Sequence, residues 1–409
     1  MRTIVLNTGT EILLGDVVNT HLGFIAREIF PLGLRVERQI TAPDGDAIRS
    51  ALEDTLKDAD LIFVTGGLGP TTDDITREMT AELFGLKLEH DPTILRAIQK
   101  RAARRGFRLT DRVARQADVP EGATVLPNEQ GSAPGLYLPA NNEKKRPHLF
   151  LLPGPPRELH PMFRDSVLPI LRGIVPPRGV KIGCRIFRIA GLGESLVEQA
   201  VGAELLARPG LELGYCARPG ELDLRLIAET AVLEEAERIV KEKLGTAIFS
   251  TDGRSLEEVI VKLLTERRQT LAIAESCTGG YLAHRITNVP GASAIFLGGC
   301  VTYSNEAKTA MLGVDARLIA THGAVSKQVA QAMAEGARAN TKSDFALATT
   351  GIAGPDGGSD EKPVGTVFLA LAARDRPVSV KKGFFPDDRP TFKELATQAA
   401  LEMLRQRLQ

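Results

Sequence analysis

Ser276 stands where an apolar run stops. Leu271-Ala272-Ile273-Ala274 gives way to Glu275-Ser276-Cys277-Thr278-Gly279-Gly280, and an amphipathic pattern resumes at Tyr281. That order reads as a buried strand, a tight corner and a helix start. A side chain at the carboxyl end of such a strand faces the cleft of an α/β sheet. The N–H groups of Cys277, Thr278 and Gly279 would be unpaired at the helix start, where they can hold a developing oxyanion or a phosphate. The plainer reading is that Ser276 or Thr278 caps the helix.

Two further strand ends carry polar groups. Residues 294–302 deliver Tyr303-Ser304-Asn305-Glu306-Ala307-Lys308 into a helix start, and residues 344–350 enter Gly351-Ile352-Ala353-Gly354-Pro355-Asp356-Gly357-Gly358. The second is a loop that lets backbone approach a ligand and lets N–H groups bind an anion. No Ser-His-Asp pattern and no G-x-S-x-G elbow is present. A serine can instead pass its proton to a lysine or tyrosine. A lysine can accept it only if desolvation or a nearby cation lowers its pKa. The spacing of Tyr303 and Lys308 lets one turn aim both at one point. Taken singly, Tyr303 also reads as a strand-end core residue and Lys308 as a surface lysine.

The N-terminal part carries a different chemistry. A strand over 60–65 runs into Gly66-Gly67-Leu68-Gly69-Pro70-Thr71-Thr72-Asp73-Asp74. Glycines, hydroxyls and N–H groups suit phosphate oxygens. Asp73 and Asp74 suit a hard divalent cation bridging those oxygens. The alternative is a plain βα loop with an aspartate cap. Pro153-Gly154-Pro155-Pro156 ends another strand and starts a helix, so it can line the same cleft. Residues 91–116 read as helical and are rich in arginine (Arg96, Arg101, Arg104, Arg105, Arg108, Arg112, Arg115), either a solvated basic face or a hold for an anionic substrate.

The elements that position these residues follow from the hydrophobic pattern. Strands over 3–8, 34–40 and 60–65 alternate with helices, with Thr10 and Glu11 after the first strand and Asn19 near the next helix start. That order implies a parallel, doubly wound sheet with function at the strand carboxyl ends. Pro176-Pro177-Arg178-Gly179 reads as a linker into a small α+β module whose first strand spans 181–190. A second α/β unit begins near Ser255. The fold class is therefore α/β: two α/β domains, over residues 1–174 and 253–409, joined by a small α+β module over 178–252.

Composition closes off other classes. The 409 residues hold 43% apolar and 25% charged side chains, with Lys+Arg and Asp+Glu both 51, as in a soluble globular protein with no polyelectrolyte partner. The absence of Trp and 5% aromatics argue against a stacking platform for single-stranded nucleic acid. Cys184, Cys216, Cys277 and Cys300 are scattered with no CxxC, which points to a reducing cytoplasm rather than a zinc site or disulfides. The start Met1-Arg2-Thr3-Ile4 enters a strand directly and lacks a cleavage signal, and no apolar run approaches the ~20 residues of a membrane span.

These motifs, in this order, resemble the CinA family of competence/damage-inducible proteins over the whole chain. The resemblance rests on Gly9-Thr10-Glu11, on Val64 through Asp74, on Pro153-Gly154-Pro155-Pro156, on Gly193-Glu194-Ser195, on Ala274 through Gly280, on Tyr303 through Lys308 and on Thr350 through Pro355. It implies an N-terminal MoaB-like, molybdopterin-binding-type fold and a C-terminal nicotinamide-nucleotide amidase domain. The latter would convert nicotinamide mononucleotide to nicotinate mononucleotide and ammonia without a cofactor. Ser276 would be the nucleophile, Lys308 and Tyr303 would relay its proton, and Cys277, Thr278 and Gly279 would supply the oxyanion donors. Gly351, Ile352, Ala353, Gly354, Gly357, Gly358 and Arg389 would hold the nucleotide. The N-terminal domain would cleave the pyrophosphate of ADP-ribose with a divalent metal (Mg, Mn or Co), or bind a pterin or nucleotide without turnover. Its ligand cleft would be lined by Thr10, Glu11, Asn19, Gly66, Gly67, Gly69, Thr71, Pro153 and Gly154. Placing the metal on Asp73 and Asp74 is an inference from ligand type. A homodimer is also implied, with no direct nucleic-acid contact and no membrane. One departure stands out: where family members have Gly-Asp-Arg before the last helix, this chain has Asp387-Asp388-Arg389.

Overall fold

A computed structural model describes residues 1–104, 106, 110–143, 146–176, 182–374 and 376–409. Arg105 and Arg108 of the basic stretch, Pro177, Arg178 and Gly179 of the expected linker, and Lys181 at the expected start of the next strand lie outside the described residues. The chain forms two compact units, Met1–Lys181 and Ile182–Gln409. Among the described residues no helix is long and apolar enough to cross a membrane.

The N-terminal unit contains strands β1 (Thr3–Thr8), β2 (Val36–Ala42) and β3 (Leu61–Thr65), a ribbon of β4 (Leu88–His90) with β5 (Asp118–Pro120), and β6 (Thr124–Leu126), β7 (Gly135–Leu138) and β8 (His148–Leu152). The main sheet runs β2-β1-β3-β8-β7-β6. Its first four strands are parallel, and β7 and β6 continue it antiparallel. The expected doubly wound sheet is thus present with an antiparallel edge. Every residue of β1 and β3 is buried, which is why both read as unbroken apolar runs. From β1 the chain goes to β2 on one side and then crosses to β3 on the other. The cleft of such a sheet opens between those two carboxyl ends. The expected helix over 91–116 appears as Pro92–Arg104 and a short turn, Asp111–Ala114.

The second unit begins with an antiparallel sheet of β9 (Ile182–Ala190), β10 (Glu212–Arg218), β11 (Glu221–Glu229) and β12 (Ile248–Ser250), in the order β10-β11-β9-β12. Leu222, Leu224, Leu226 and Ala228 alternate along β11 and pack under the helix Thr230–Leu244. This module is fused to the C-terminal domain rather than standing apart from it. Ala190 and Phe249 join that domain's core. Gln398 donates to Glu221 at 2.8 Å, and the buried Arg405, paired with Glu402, donates to the Thr246 carbonyl at 2.7 Å.

The C-terminal sheet consists of β13 (Leu271–Glu275), β14 (Phe296–Val301), β15 (Phe345–Gly351), β16 (Thr366–Ala373) and β17 (Arg376–Phe384), in the order β14-β13-β15-β16-β17. β14, β13 and β15 are parallel, and β16 and β17 antiparallel. The period of two sorts its faces. Ala272, Ala274, Ala346, Ala348, Ala370 and Ala372 line one face, on which small side chains let the helix Lys327–Thr341 sit through Ala330, Ala334 and Ala337. Leu271, Ile273, Phe345, Leu347, Leu369 and Leu371 line the other, under the helices Leu256–Arg267 and Arg389–Leu408. Here too the strand order reverses, between β13 and β15.

Candidate active site

Alternation along β13 separates the two polar residues at its end. Ser276 follows Ala272 and Ala274 toward the alanine face, and Glu275 follows Leu271 and Ile273 toward the other. The helix Asn305–Leu312 lies on the alanine side, contributing Leu312 to that core, and brings Lys308 with it. The Lys308 Nζ donates to Ser276 Oγ at 3.1 Å, to the Thr302 carbonyl at 2.9 Å and, more weakly, to the Tyr303 carbonyl at 3.5 Å. Lys308 is 1% exposed and Ser276 8%. Burial pushes the Lys308 ammonium below the ordinary lysine range, with Cys277 and Glu306 acting weakly against it. A neutral amine here can take the Ser276 proton while the two carbonyls hold its own N–H bonds.

Neither Ser276 nor Thr278 caps the next helix. The helix Tyr281–Thr287 starts at Gly280 without a side-chain cap from that residue. Its first N–H groups go instead to the buried Glu275, whose carboxylate accepts from Gly280 at 2.9 Å, Leu282 at 3.0 Å and Ala283 at 2.8 Å. Glu275 thereby satisfies the helix end and leaves Ser276 Oγ to Lys308. Thr278 is bonded across to Thr349 on β15 at 2.7 Å. The Ser276 N–H is used by the Thr349 carbonyl, so the corner is stitched to the neighbouring strand. Gly279, at φ 60°, turns back so that its N–H meets the Ser276 carbonyl. This corrects the expectation that three corner N–H groups are free. Gly279 closes the turn, while Cys277 and Thr278 have no carbonyl acceptor among the described residues. Burial raises the Cys277 thiol to about 12, so it packs and does not compete as a nucleophile.

Charged acceptors of N–H bonds contribute about 1.5–3 kcal/mol each. Glu275→Gln keeps the shape but loses the charge and turns an NH2 toward backbone donors. It is expected to cost about 2 kcal/mol, a fall of about 4–8 °C in the unfolding midpoint of a unit this size. Calorimetry of the full chain checks this.

Tyr303 is corrected as well. It is 58% exposed, and its hydroxyl accepts from Arg389 rather than meeting Ser276. What it gives to Lys308 is its main-chain carbonyl. Arg389 also donates to the Gly354 carbonyl at 2.7 Å, so it joins the glycine loop to the Tyr303 side of the site. Within that loop, Gly351 and Gly358 are explained by packing: a Cβ would strike the Thr366 carbonyl at 2.7 Å and the Val364 nitrogen at 2.8 Å. The Ile352 N–H is used by Thr366. Ala353 is buried and Gly357 exposed beside them. Asp387 is exposed, and Asp388 caps the last helix through the Thr391 N–H at 2.8 Å.

In the N-terminal unit a cavity of about 350 Å³ opens at the β1/β3 reversal. It is lined by Glu11, Gly66, Gly67, Gly69, Thr71, Asp73, Asp74, Pro153 and Gly154, as the sequence motifs suggest. Gly66, at φ 99°, passes so close to Thr8 that no side chain would fit. Thr10 and Asn19 do not line it. Thr10 instead exchanges bonds with Asp44, and Asn19 accepts from the His21 N–H at 3.0 Å to start a helix. Asp44, Gln116, Ser132 and Glu158 line the cavity unforeseen.

The donors of this cleft are oxygens. Glu11, Asp44, Asp73, Asp74 and Glu158 fit a hard divalent cation in kind. They do not form a ready cage: among the described residues no three acidic, His or Cys side chains converge on one point. Asp74 is turned onto the Thr71 N–H at 2.9 Å and its hydroxyl, and Thr71 also draws Asp73 below the usual carboxylate range. Such a set suits a Mg-like ion that keeps waters and takes its other ligands from substrate phosphates.

Comparison with known proteins finds three matches in series. Residues 4–173 match the "Probable molybdopterin binding domain", 184–249 the "Damage-inducible protein CinA KH domain" and 253–408 the "CinA C-terminal domain". A "CinA-like protein" of Akkermansia muciniphila is 43% identical over 401 residues, 98% of this chain and 96% of the relative. Another of that name, from Dictyoglomus thermophilum, is 40% identical over 416 residues, 100% and 99% of the two chains. Among solved structures, competence/damage inducible protein CihA from Agrobacterium tumefaciens is 42% identical, covering 39% of this chain and 97% of its own at a TM-score of 0.37.

Proposed function

The chain belongs to the CinA family, and on that premise we propose that its C-terminal domain hydrolyses the carboxamide of nicotinamide mononucleotide. The observation that carries the chemistry is the 3.1 Å bond between Lys308 Nζ and Ser276 Oγ, both buried, beside two N–H groups that meet no backbone carbonyl among the described residues. Ser276 Oγ attacks the amide carbon as its proton passes to Lys308. The carbonyl oxygen gains negative charge and is met by the N–H groups of Cys277 and Thr278. The C–N bond breaks, Lys308 returns the proton to the leaving nitrogen, and ammonia departs. Water then cleaves the acyl-serine ester by the reverse proton path, giving the carboxylate. Tyr303 and Arg389 brace the mouth of the site and take no part in the proton transfer.

Ammonia release from nicotinamide mononucleotide, followed with and without EDTA, tests this. The expected result is turnover that EDTA leaves unchanged, since every step uses protein groups. No release from a folded protein would overturn the reading.

For the N-terminal domain the glycine-lined, carboxylate-rich cleft supports hydrolysis of the ADP-ribose pyrophosphate with a divalent metal. When bound there, such an ion would neutralise phosphate charge and polarise the attacked phosphorus. Asp73, Asp74, Glu11, Asp44 and Glu158 are the residues to hold it, and Gly66, Gly67 and Gly69 let backbone approach the phosphates. AMP release from ADP-ribose is expected to fall to background with EDTA and to fall at least about tenfold in Asp73→Asn, a variant that removes a donor without changing shape. Binding of a pterin or nucleotide without any AMP release would favour a binding domain instead. The middle module has no Gly-x-x-G, the loop with which KH modules clamp a nucleic-acid backbone, which supports a structural role for it.

A further inference from the structure

The helix that follows the Ser276 corner is held at both ends. Its first N–H groups go to Glu275. Its last turn is held by Arg285, whose side chain is 11% exposed. The guanidinium donates to Thr397 at 3.1 Å, to Gln398 at 2.7 Å and to Glu257 at 2.9 Å. The helix Tyr281–Thr287 has only 7 residues, and isolated helices shorter than about 12 residues are marginal. Bonds to its neighbours therefore fix where it lies, and with it the corner it extends from.

The bond to Gln398 depends on the middle module. A side-chain amide is an acceptor at one end and a donor at the other. Gln398 offers its Oε1 to Arg285 while its Nε2 donates to the Glu221 carboxylate at 2.8 Å. Reversed, the amide would turn its NH2 toward a guanidinium that has only donors. Glu221 is brought there by the tip of the β10–β11 hairpin. At Gly220 a Cβ would lie 2.7 Å from Gln398 Cγ, so the tip is seated directly on this residue. Beside this bridge the module and the corner helix face one another across a cavity of about 280 Å³. Arg188, Arg218 and Glu221 line it from the module, and Tyr281, His284 and Arg285 from the helix.

We propose that Arg285 is a positioning residue for the Ser276 corner, and that the middle module serves the site by orienting Gln398 through Glu221. The kinetic arm of the test rests on the amide-hydrolysis reading; the exchange arm does not.

Hydrogen exchange of the full-length protein, read on peptides covering 276–287, follows the corner directly. Glu221→Ala is expected to speed exchange there about tenfold, the scale of one hydrogen bond to a charged group, while β13 and β15 exchange as in the wild type. Adding Gln398→Glu is expected to restore the wild-type rate, because either oxygen of a carboxylate accepts from Arg285 and no orienting partner is needed. In turnover, Glu221→Ala is expected to lower kcat for ammonia release about tenfold with KM within about twofold, and the second substitution to recover it. Unchanged exchange at 276–287 in Glu221→Ala overturns the proposal. So does faster exchange spread over the whole of 182–409, or a loss that Gln398→Glu does not reverse, since either marks plain loss of packing at the hairpin tip. The expected local response with kcat unchanged overturns the claim that the bridge positions the corner for chemistry. The same response in a wild type that releases no ammonia supports the bridge and removes the hydrolysis.

Discussion

Ser276→Ala is expected to abolish ammonia release, by about 10⁴-fold or more, while the protein stays folded. The size follows from the pathway: without Oγ there is no acyl intermediate, and water must attack an amide with only the two corner N–H groups to help. The fold should tolerate the change because among the described residues Ser276 Oγ bonds only to Lys308, and Lys308 keeps the Thr302 and Tyr303 carbonyls. The strand-to-strand bond of the Ser276 N–H to Thr349 is made by backbone and survives. An unfolding midpoint within about 2 °C of the wild type, measured on the same sample, separates chemistry from stability. Retained turnover in the folded variant would show that another group is the nucleophile. Cys277 is a poor substitute, since its buried thiol resists ionisation.

The elements that carry the site were legible because their patterns are local. β13 reads as an apolar run that ends in polar residues, and Asp60 onward does the same in the other domain. The strand order could be inferred from alternation with helices, and the reversal points then locate both clefts. What was not legible depends on which way a side chain faces once strands pair. Nothing in the order Ala274-Glu275-Ser276 says where Glu275 points, yet the alternation of β13 aims it at the next helix. Tyr303 and Lys308 sit on one short segment, but only Lys308 is carried inward by the helix that contributes Leu312 to the core. The tyrosine remains at the rim with Arg389. Gly351 and Gly358 looked like ligand contacts and turn out to answer to backbone packing. Asp44 and Glu158 come to the N-terminal cleft from segments far from its glycine loop, so no spacing in the sequence ties them to it.

Lys308→Met is expected to lower kcat by about 10³-fold and to leave KM nearly unchanged, the mark of a lost general base rather than a lost ligand contact. Methionine fills much of the same buried space without a charge, so it also removes a desolvation cost and should not destabilise the domain. The pH dependence gives the sharper test. The active form is the neutral amine, because only it can accept the Ser276 proton. Burial favours that form and moves its titration below the ordinary lysine value of about 10.4. In the wild type kcat/KM should therefore rise with pH and level off at a midpoint below that value. The sign for stability is the same. The folded state binds its proton less readily than the unfolded chain, so this group's contribution is full above the unfolded pKa. It is lost as pH falls through the folded one. Lys308→Met should flatten both profiles together. A wild-type rate that is flat across this range, or a Lys308→Met variant that keeps the same midpoint, would mean that the titrating base lies elsewhere and that Lys308 only holds Ser276 in place.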